Sequence, residues 1–169
     1  MFSVGVSGGH LNPAVTLGLA TVGRISWRKV PHYLLAQYTG ALLGAGLVLA
    51  LYWEGLVWYE HQQGLYRTVP GTATIFTSFP SSPHLSWLAG AGDQLVSTAI
   101  LVLVFCRLSQ PATPDSSLAL PAGVAVTVLG LGTSLGLNCG APLNPARDLA
   151  PRILCGEGEF YTPVEGSDS

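Results

Sequence analysis

Charge is what this sequence lacks. Of its 169 residues only 9% are Asp, Glu, Lys or Arg, against a typical share of roughly 25%. Seven basic residues against nine acidic ones, with a formal net charge of −2, leave no basic patch of the kind that neutralises a phosphate backbone. A nucleic-acid binder is thereby excluded. The three cysteines, Cys106, Cys139 and Cys155, are too few and too scattered for a disulfide framework or a zinc site, and they read as free thiols. Met1-Phe2-Ser3-Val4-Gly5 has neither the basic start nor the apolar core of a signal peptide, so no cleavage is expected. No Ser/His/Asp set, paired carboxylates, phosphate loop or metal cluster stands out, and the expectation is no enzyme, no cofactor and no metal.

What the sequence does have is long uncharged runs. Between Lys29 and Arg107 the charges are Glu54, Glu60, Arg67 and Asp93, and between Arg107 and Arg147 there is only Asp115. Three windows reach the roughly 20 apolar residues that a bilayer span requires: residues 32–53, 87–106 and 118–137. The first is preceded by Arg24, Arg28, Lys29 and Pro31 and followed by Glu54-Gly55, and it measures about 33 Å as a helix. Gly40, Gly44 and Gly46 in the first window, and Gly130, Gly132 and Gly136 in the third, suit close helix–helix approach in lipid. Basic residues concentrate in the 24–31 loop, with Arg107 opening the 107–117 loop, while residues 54–86 carry little positive charge. This places the first two loops on the cytoplasmic face and 54–86 outside. The chain divides into a membrane domain, residues 1–155, and a polar acidic tail, residues 156–169, too short to fold alone.

One internal repeat is present: Gly8-Gly9-His10-Leu11-Asn12-Pro13-Ala14 and Gly140-Ala141-Pro142-Leu143-Asn144-Pro145-Ala146. Both read G-x-x-L-N-P-A. Each has the grammar of a helix start, because Asn is a favoured N-cap and Pro at the first helical position loses only an N–H that would be unpaired anyway. The helices that follow, Pro13 to about Gly23 and Pro145 to about Cys155, are roughly 16 Å long, half a hydrocarbon core. Three spans lie between the motifs, an odd number, so the half-helices enter from opposite faces and their tips meet near the midplane. Irregular backbone at that depth is tolerated only where it is buried in protein or lines a watery cavity. Inverted repeats with broken helices are a recurring transport architecture, and the expected site is a pore or pocket at the midplane.

With Arg147 after the second motif, these twin Asn-Pro-Ala half-helices resemble the aquaporin family. Asp148 after Arg147 resembles the aquaglyceroporin branch, and Asn138-Cys139-Gly140-Ala141-Pro142-Leu143 is most similar to the aquaporin-10 type. The resemblance covers about residues 2–155. It implies an all-α membrane protein, an aquaporin-like inverted-repeat bundle that is incomplete here. The family fold has six spans plus two half-helices, and this sequence holds three plus two. The two spans expected before Met1 and the one expected after Cys155 are absent, and with them a closed lumen. A complete relative is implied to be a multi-pass homotetramer in the bilayer, in the plasma membrane. It would pass water, glycerol and similar small neutral solutes.

The resemblance also distributes roles. Asn12, Pro13, Ala14, Asn144, Pro145 and Ala146 form the pore motifs, each Asn holding its own helix tip and presenting an amide N–H to the lumen. Two positive half-helix ends there orient a passing water by its oxygen and break proton relay. The bland alternative makes the asparagines simple caps. Arg147, with Gly132 and Ala141, belongs to the outer selectivity filter, where a Gly in place of a His widens the passage for glycerol. For Arg147 the alternative is an ion pair with Asp148, and for Gly132 it is a packing glycine. Carbonyls of Gly8, Gly9, His10, Leu11, Gly140 and Pro142 line the lumen, and Gln94 and Asp148 support the loops. For Gln37 a plain interhelical hydrogen bond weighs as much as loop support. His10, near the cytoplasmic mouth, is either a structural histidine or a pH switch, titrating near the imidazole reference of roughly 6.5. The function so implied is a passive channel for water and small uncharged polyols. The alternative is a nonconducting truncated subunit that co-assembles with or interferes with full-length channels.

Overall fold

A computed structural model describes residues 7–64, 72–109 and 116–155, without the side chains of 116–118. The expected tail, residues 156–169, lies outside the described residues. Among the described residues the helices Pro13–Thr21 (α1), Val30–Gln63 (α2), Trp87–Leu108 (α3), Ser116–Ser134 (α4) and Pro145–Leu149 (α5) follow one another. Short 3₁₀ turns cover Trp27–Lys29, Thr72–Ile75 and Ala150–Cys155, the last continuing α5.

Each start follows from local chemistry. Asn12, Ser86 and Asn144 stand in extended conformation ahead of α1, α3 and α5, and their side chains accept backbone N–H groups of the first turn. Caps of this kind stabilise a helix by about 1 kcal/mol. α1 ends at Thr21, just before Gly23, whose φ of 72° lets the N–H of Arg24 reach the Leu19 carbonyl at 2.8 Å. That glycine-terminated closure satisfies the orphan carbonyls of the last turn.

α2 differs from the expected span. It passes Trp53, Glu54 and Gly55 and stops only at Gly64, whose φ is 62° and whose N–H bonds back to Glu60 and His61. An exposed glutamate does not break a helix, and one interior glycine costs only about 1 kcal/mol; the left-handed residue is the actual stop. At 34 residues α2 measures about 51 Å, more than a hydrocarbon core of about 30 Å. Tyr52, Trp53, Trp58 and Tyr59 are all exposed where it leaves its apolar stretch, the position amphipathic rings favour at a membrane interface.

Trp27–Gln63 and Trp87–Leu108 are each long and apolar enough to cross a membrane, with Ala119–Ser134 of α4 shorter. One buried apolar cluster joins Leu101, Leu131 and Leu143, with Val124, Leu135 and Ala141 packed against them. Leu35, Leu43, Leu47 and Leu51 of α2 and Leu103 and Leu129 on α3 and α4 point outward and are exposed. Apolar faces of this extent do not stand in water on a soluble monomer.

The glycines expected at helix contacts meet no partner helix within the described chain. Among the described residues, a Cβ added at Gly40, Gly44, Gly46, Gly130 or Gly132 would meet nothing within 4 Å, and one at Gly136, just past the end of α4, would meet the Gly132 carbonyl. Close approach falls instead at Gly18, against Val102, and at Gly123, against Leu108. The reason is placement: α2 packs on α1, on α5 and on the 3₁₀ turn that continues it, and α4 packs on α3, while Gly40, Gly44, Gly46, Gly130 and Gly132 lie on faces of α2 and α4 turned away from these contacts.

Candidate functional site

The two motifs meet tip to tip and bind each other crosswise. Asn12 uses its Oδ1 to accept the Ala14 N–H at 2.9 Å, and its amide Nδ2 donates to the Leu143 carbonyl at 2.7 Å. Asn144 accepts from the N–H groups of Ala146 and Arg147 at 3.0 and 3.3 Å, and its Nδ2 donates to the Leu11 carbonyl at 3.1 Å. The pattern is the same read from either motif. Each amide therefore spends one N–H on the opposite half, so the asparagines are more than caps of their own helices, and each retains a second N–H. Pro13 and Pro145 occupy the first helical positions, and Ala14 and Ala146 supply the capped N–H groups. Leu143 takes φ 51° while 4% exposed, a left-handed conformation that costs a non-glycine residue about 1–2 kcal/mol. Strain of this kind persists only where surrounding structure imposes it, and here it accompanies the carbonyl that receives Asn12.

Behind the first motif lies a buried polar network that sequence reasoning largely missed. Thr16, fully buried, donates to the Asn12 carbonyl at 3.1 Å, accepts Gln37 Nε2 at 2.8 Å and contacts His10 Nδ1 at 2.8 Å. With its one proton on Asn12, the threonine can only accept from His10, so the imidazole carries its hydrogen on Nδ1. Gln37 Nε2 also donates to the His10 carbonyl at 2.9 Å, which makes it a support of the loop and of the helix contact at once. Tyr33 stacks on His10 with centroids 4.4 Å apart and donates its hydroxyl to the Ser7 carbonyl at 3.0 Å. A threonine one turn after Asn12 in an apolar helix was the available signal. Thr16→Val is expected to destabilise the protein by about 1–3 kcal/mol, the cost of orphaning buried donors, while Thr16→Ser stays near the parent; thermal unfolding in detergent measures both.

The second motif is held by a different set. Gln94 on α3 donates to the Gly140 carbonyl at 3.2 Å. Asp148 accepts from the Ser78 N–H at 2.7 Å and hydroxyl at 2.6 Å, from Thr77 at 3.1 Å and from Arg152 at 3.2 Å. Arg152 in turn donates to the Ser78 carbonyl at 2.7 Å and lies over the Phe79 ring. The carboxylate so ties the half-helix to the 76–79 segment. Arg147 approaches Asp148 only to 3.7 Å and its side chain is half exposed. Asp148 already has shorter partners, so the neighbouring pair is a weak one.

The loop carbonyls are partly engaged. Those of His10, Leu11 and Gly140 each take a protein donor, so Leu11 serves the cross-link first. A carbonyl oxygen has two lone pairs and can still receive a solute hydroxyl. A cavity of about 250 Å³ brings Gly9, His10, Leu11, Ala141 and Pro142 together with both asparagines, against a wall from α3 and α4. Gly8, Gly132, Gly140 and Arg147 are not among its lining residues. Gly132 stands exposed on the last turn of α4, and the absence of any atom near its would-be Cβ leaves it no packing role within the described chain.

Two short helices whose N-terminal asparagines cap them and bind each other's loops, beside helices apolar enough to cross a membrane, define an integral membrane protein of the inverted-repeat channel class. Residues 1–163 match the major intrinsic protein family, and the chain belongs to it; this is a family of membrane channels rather than enzymes. The chain is 39% identical to human aquaporin-9 over 151 residues, covering 89% of this chain and 51% of the relative. It is 40% identical to human aquaporin-10 over 175 residues, covering 94% and 57%. These two identities do not separate the two types. The structure of the aquaglyceroporin from Plasmodium falciparum superposes with a TM-score of 0.76 at 31% identity, over 90% of this chain and 60% of that one. The chain thus spans about half the length of the curated relatives it matches.

Proposed function

We propose that this chain supplies the central part of a passive channel for water and small uncharged polyols such as glycerol, assembled as a homotetramer in the plasma membrane. The crosswise asparagine junction carries the reading. It sets two half-helix N-termini and two amide donors beside one cavity at the depth where the repeat halves meet. That arrangement attracts a neutral oxygen and repels a cation. Gly132 and Ala141 leave the filter wide, Arg147 supplies its fixed charge, and the loop carbonyls accept solute hydroxyls. Gln94 and Asp148 hold the second loop as Gln37 and Thr16 hold the first.

The test replaces the matched 151-residue segment of human aquaporin-9 with the corresponding part of this chain, called the chimera below, and measures water and glycerol flux in proteoliposomes. Flux of both above empty vesicles supports the reading; a membrane-inserted chimera that passes neither overturns it. Asn12→Ala together with Asn144→Ala serves as the silent control.

His10 gives a further expected result. Protonation at Nε2, with Nδ1 already donating to Thr16, places a charge beside the loop that lines the cavity. Chimera flux is expected to differ between about pH 7.4 and about pH 5.5. His10→Ala should flatten that difference. An unchanged pH profile in the variant makes His10 a purely structural residue.

A further inference from the structure

We infer that Phe105 sets the cross-section of the solute admitted on the cytoplasmic side of the asparagine junction. The inference rests on the channel reading above and adds a size-selecting residue to it. The cavity at the junction has two unlike sides. One is formed by the two loops, with Asn12, Asn144 and Val15 at the helix starts; the other is Leu101 and Phe105 of α3 with Val124 and Val128 of α4. Each of these helical pairs is spaced i, i+4, so each presents two side chains one turn apart on one face. The result is a wall of four apolar side chains opposite a wall of hydrogen-bonding groups.

The four do not have equal freedom. Leu101 is 4% exposed and locked with Leu131 and Leu143, beside Asn144, and it fixes the wall at the level of the junction. Phe105 lies one turn, about 6 Å, further along α3, and it is only partly buried. That turn leads towards Ser109, whose hydroxyl accepts Arg24 at 2.6 Å, and Arg24 follows the end of α1. α1 itself starts at the junction, so Phe105 stands on the side from which residues 7–11 approach. The basic residues Arg24, Arg28 and Lys29 mark that side as cytoplasmic. A ring at this place offers a solute no hydrogen bond and no charge. It discriminates by width alone, in series with the filter residues Gly132 and Arg147, which do not line this cavity.

The chimera carrying Phe105→Ala, Phe105→Leu or Phe105→Trp tests this, with glycerol, a linear four-carbon polyol and water as probes. The ratio of four-carbon polyol flux to glycerol flux is expected to fall in the order Ala, Leu, parent, Trp. The ends of the series should differ by at least about tenfold, the scale on which an apolar contact discriminates by size. Water flux should change far less than either polyol flux. If the alanine variant does not reach the membrane, the leucine and tryptophan variants keep the ordering measurable. A flat ratio across membrane-inserted variants overturns the role of Phe105 and leaves the channel reading intact. A parent chimera that passes no glycerol overturns the channel reading, and this inference with it.

Discussion

Glycerol flux through the chimera is expected to fall by about two orders of magnitude on Gly132→His while water flux falls less than about fivefold, because selectivity in a narrow pore follows its diameter and lining groups. The structure makes the substitution clean. Among the described residues no atom outside its own helix turn lies within 4 Å of the position a Cβ would take, so the imidazole enters without displacing their backbone. Replacing an exposed helical glycine also stabilises the helix by a fraction of a kcal/mol. A loss of flux would therefore report obstruction and not damage. Equal loss of water and glycerol would show that Gly132 does not set the width of the passage.

Arg147→Val is expected to open the chimera to small cations, raising ionic conductance at least about tenfold with water flux retained. A fixed unit charge about 4 Å from a passing cation opposes it by about 4 kcal/mol at an effective dielectric of 20. The two half-helix ends remain in the variant, which is why only part of that barrier is expected to vanish. The contact with Asp148 is long, at 3.7 Å, and Asp148 keeps Ser78, Thr77 and Arg152 when Arg147 is lost, so the half-helix stays anchored. Conductance measured in planar bilayers decides the matter: inserted protein with unchanged zero current refutes the barrier.

The parts legible in the sequence are those whose cause is local. Asn before Pro, twice, gave both re-entrant starts, because capping and the missing proline N–H act within one turn. The length of apolar runs marked the spans for the same reason. The polar network around Thr16 was hidden because it depends on how α2 is rotated against α1. Gln37 is 21 residues from Thr16, and no spacing rule links them. Asp148 was legible as a support, but its partners Thr77 and Ser78 lie in a segment with no motif and no periodicity. The glycines expected at helix contacts find no partner helix within the described chain, for a converse reason. A small residue permits close approach, but only a neighbouring helix makes use of it, and the outer faces of α2 and α4 have none within the described chain.

The crosswise pair of asparagine bonds also imposes an order on synthesis. The amide of Asn12 finds its acceptor 131 residues later in the chain, and Asn144 reaches back across 133. A nascent chain that has delivered α1 and α2 can already join Gln37 to Thr16 and to the His10 carbonyl, so the first re-entrant loop is held against α2 while its tip still lacks a partner. α1, nine residues long, is too short to cross the bilayer and be retained by length alone. Its tip is completed only when Leu143 and Asn144 emerge. A lesion at either of those positions therefore strikes a loop that the ribosome finished long before.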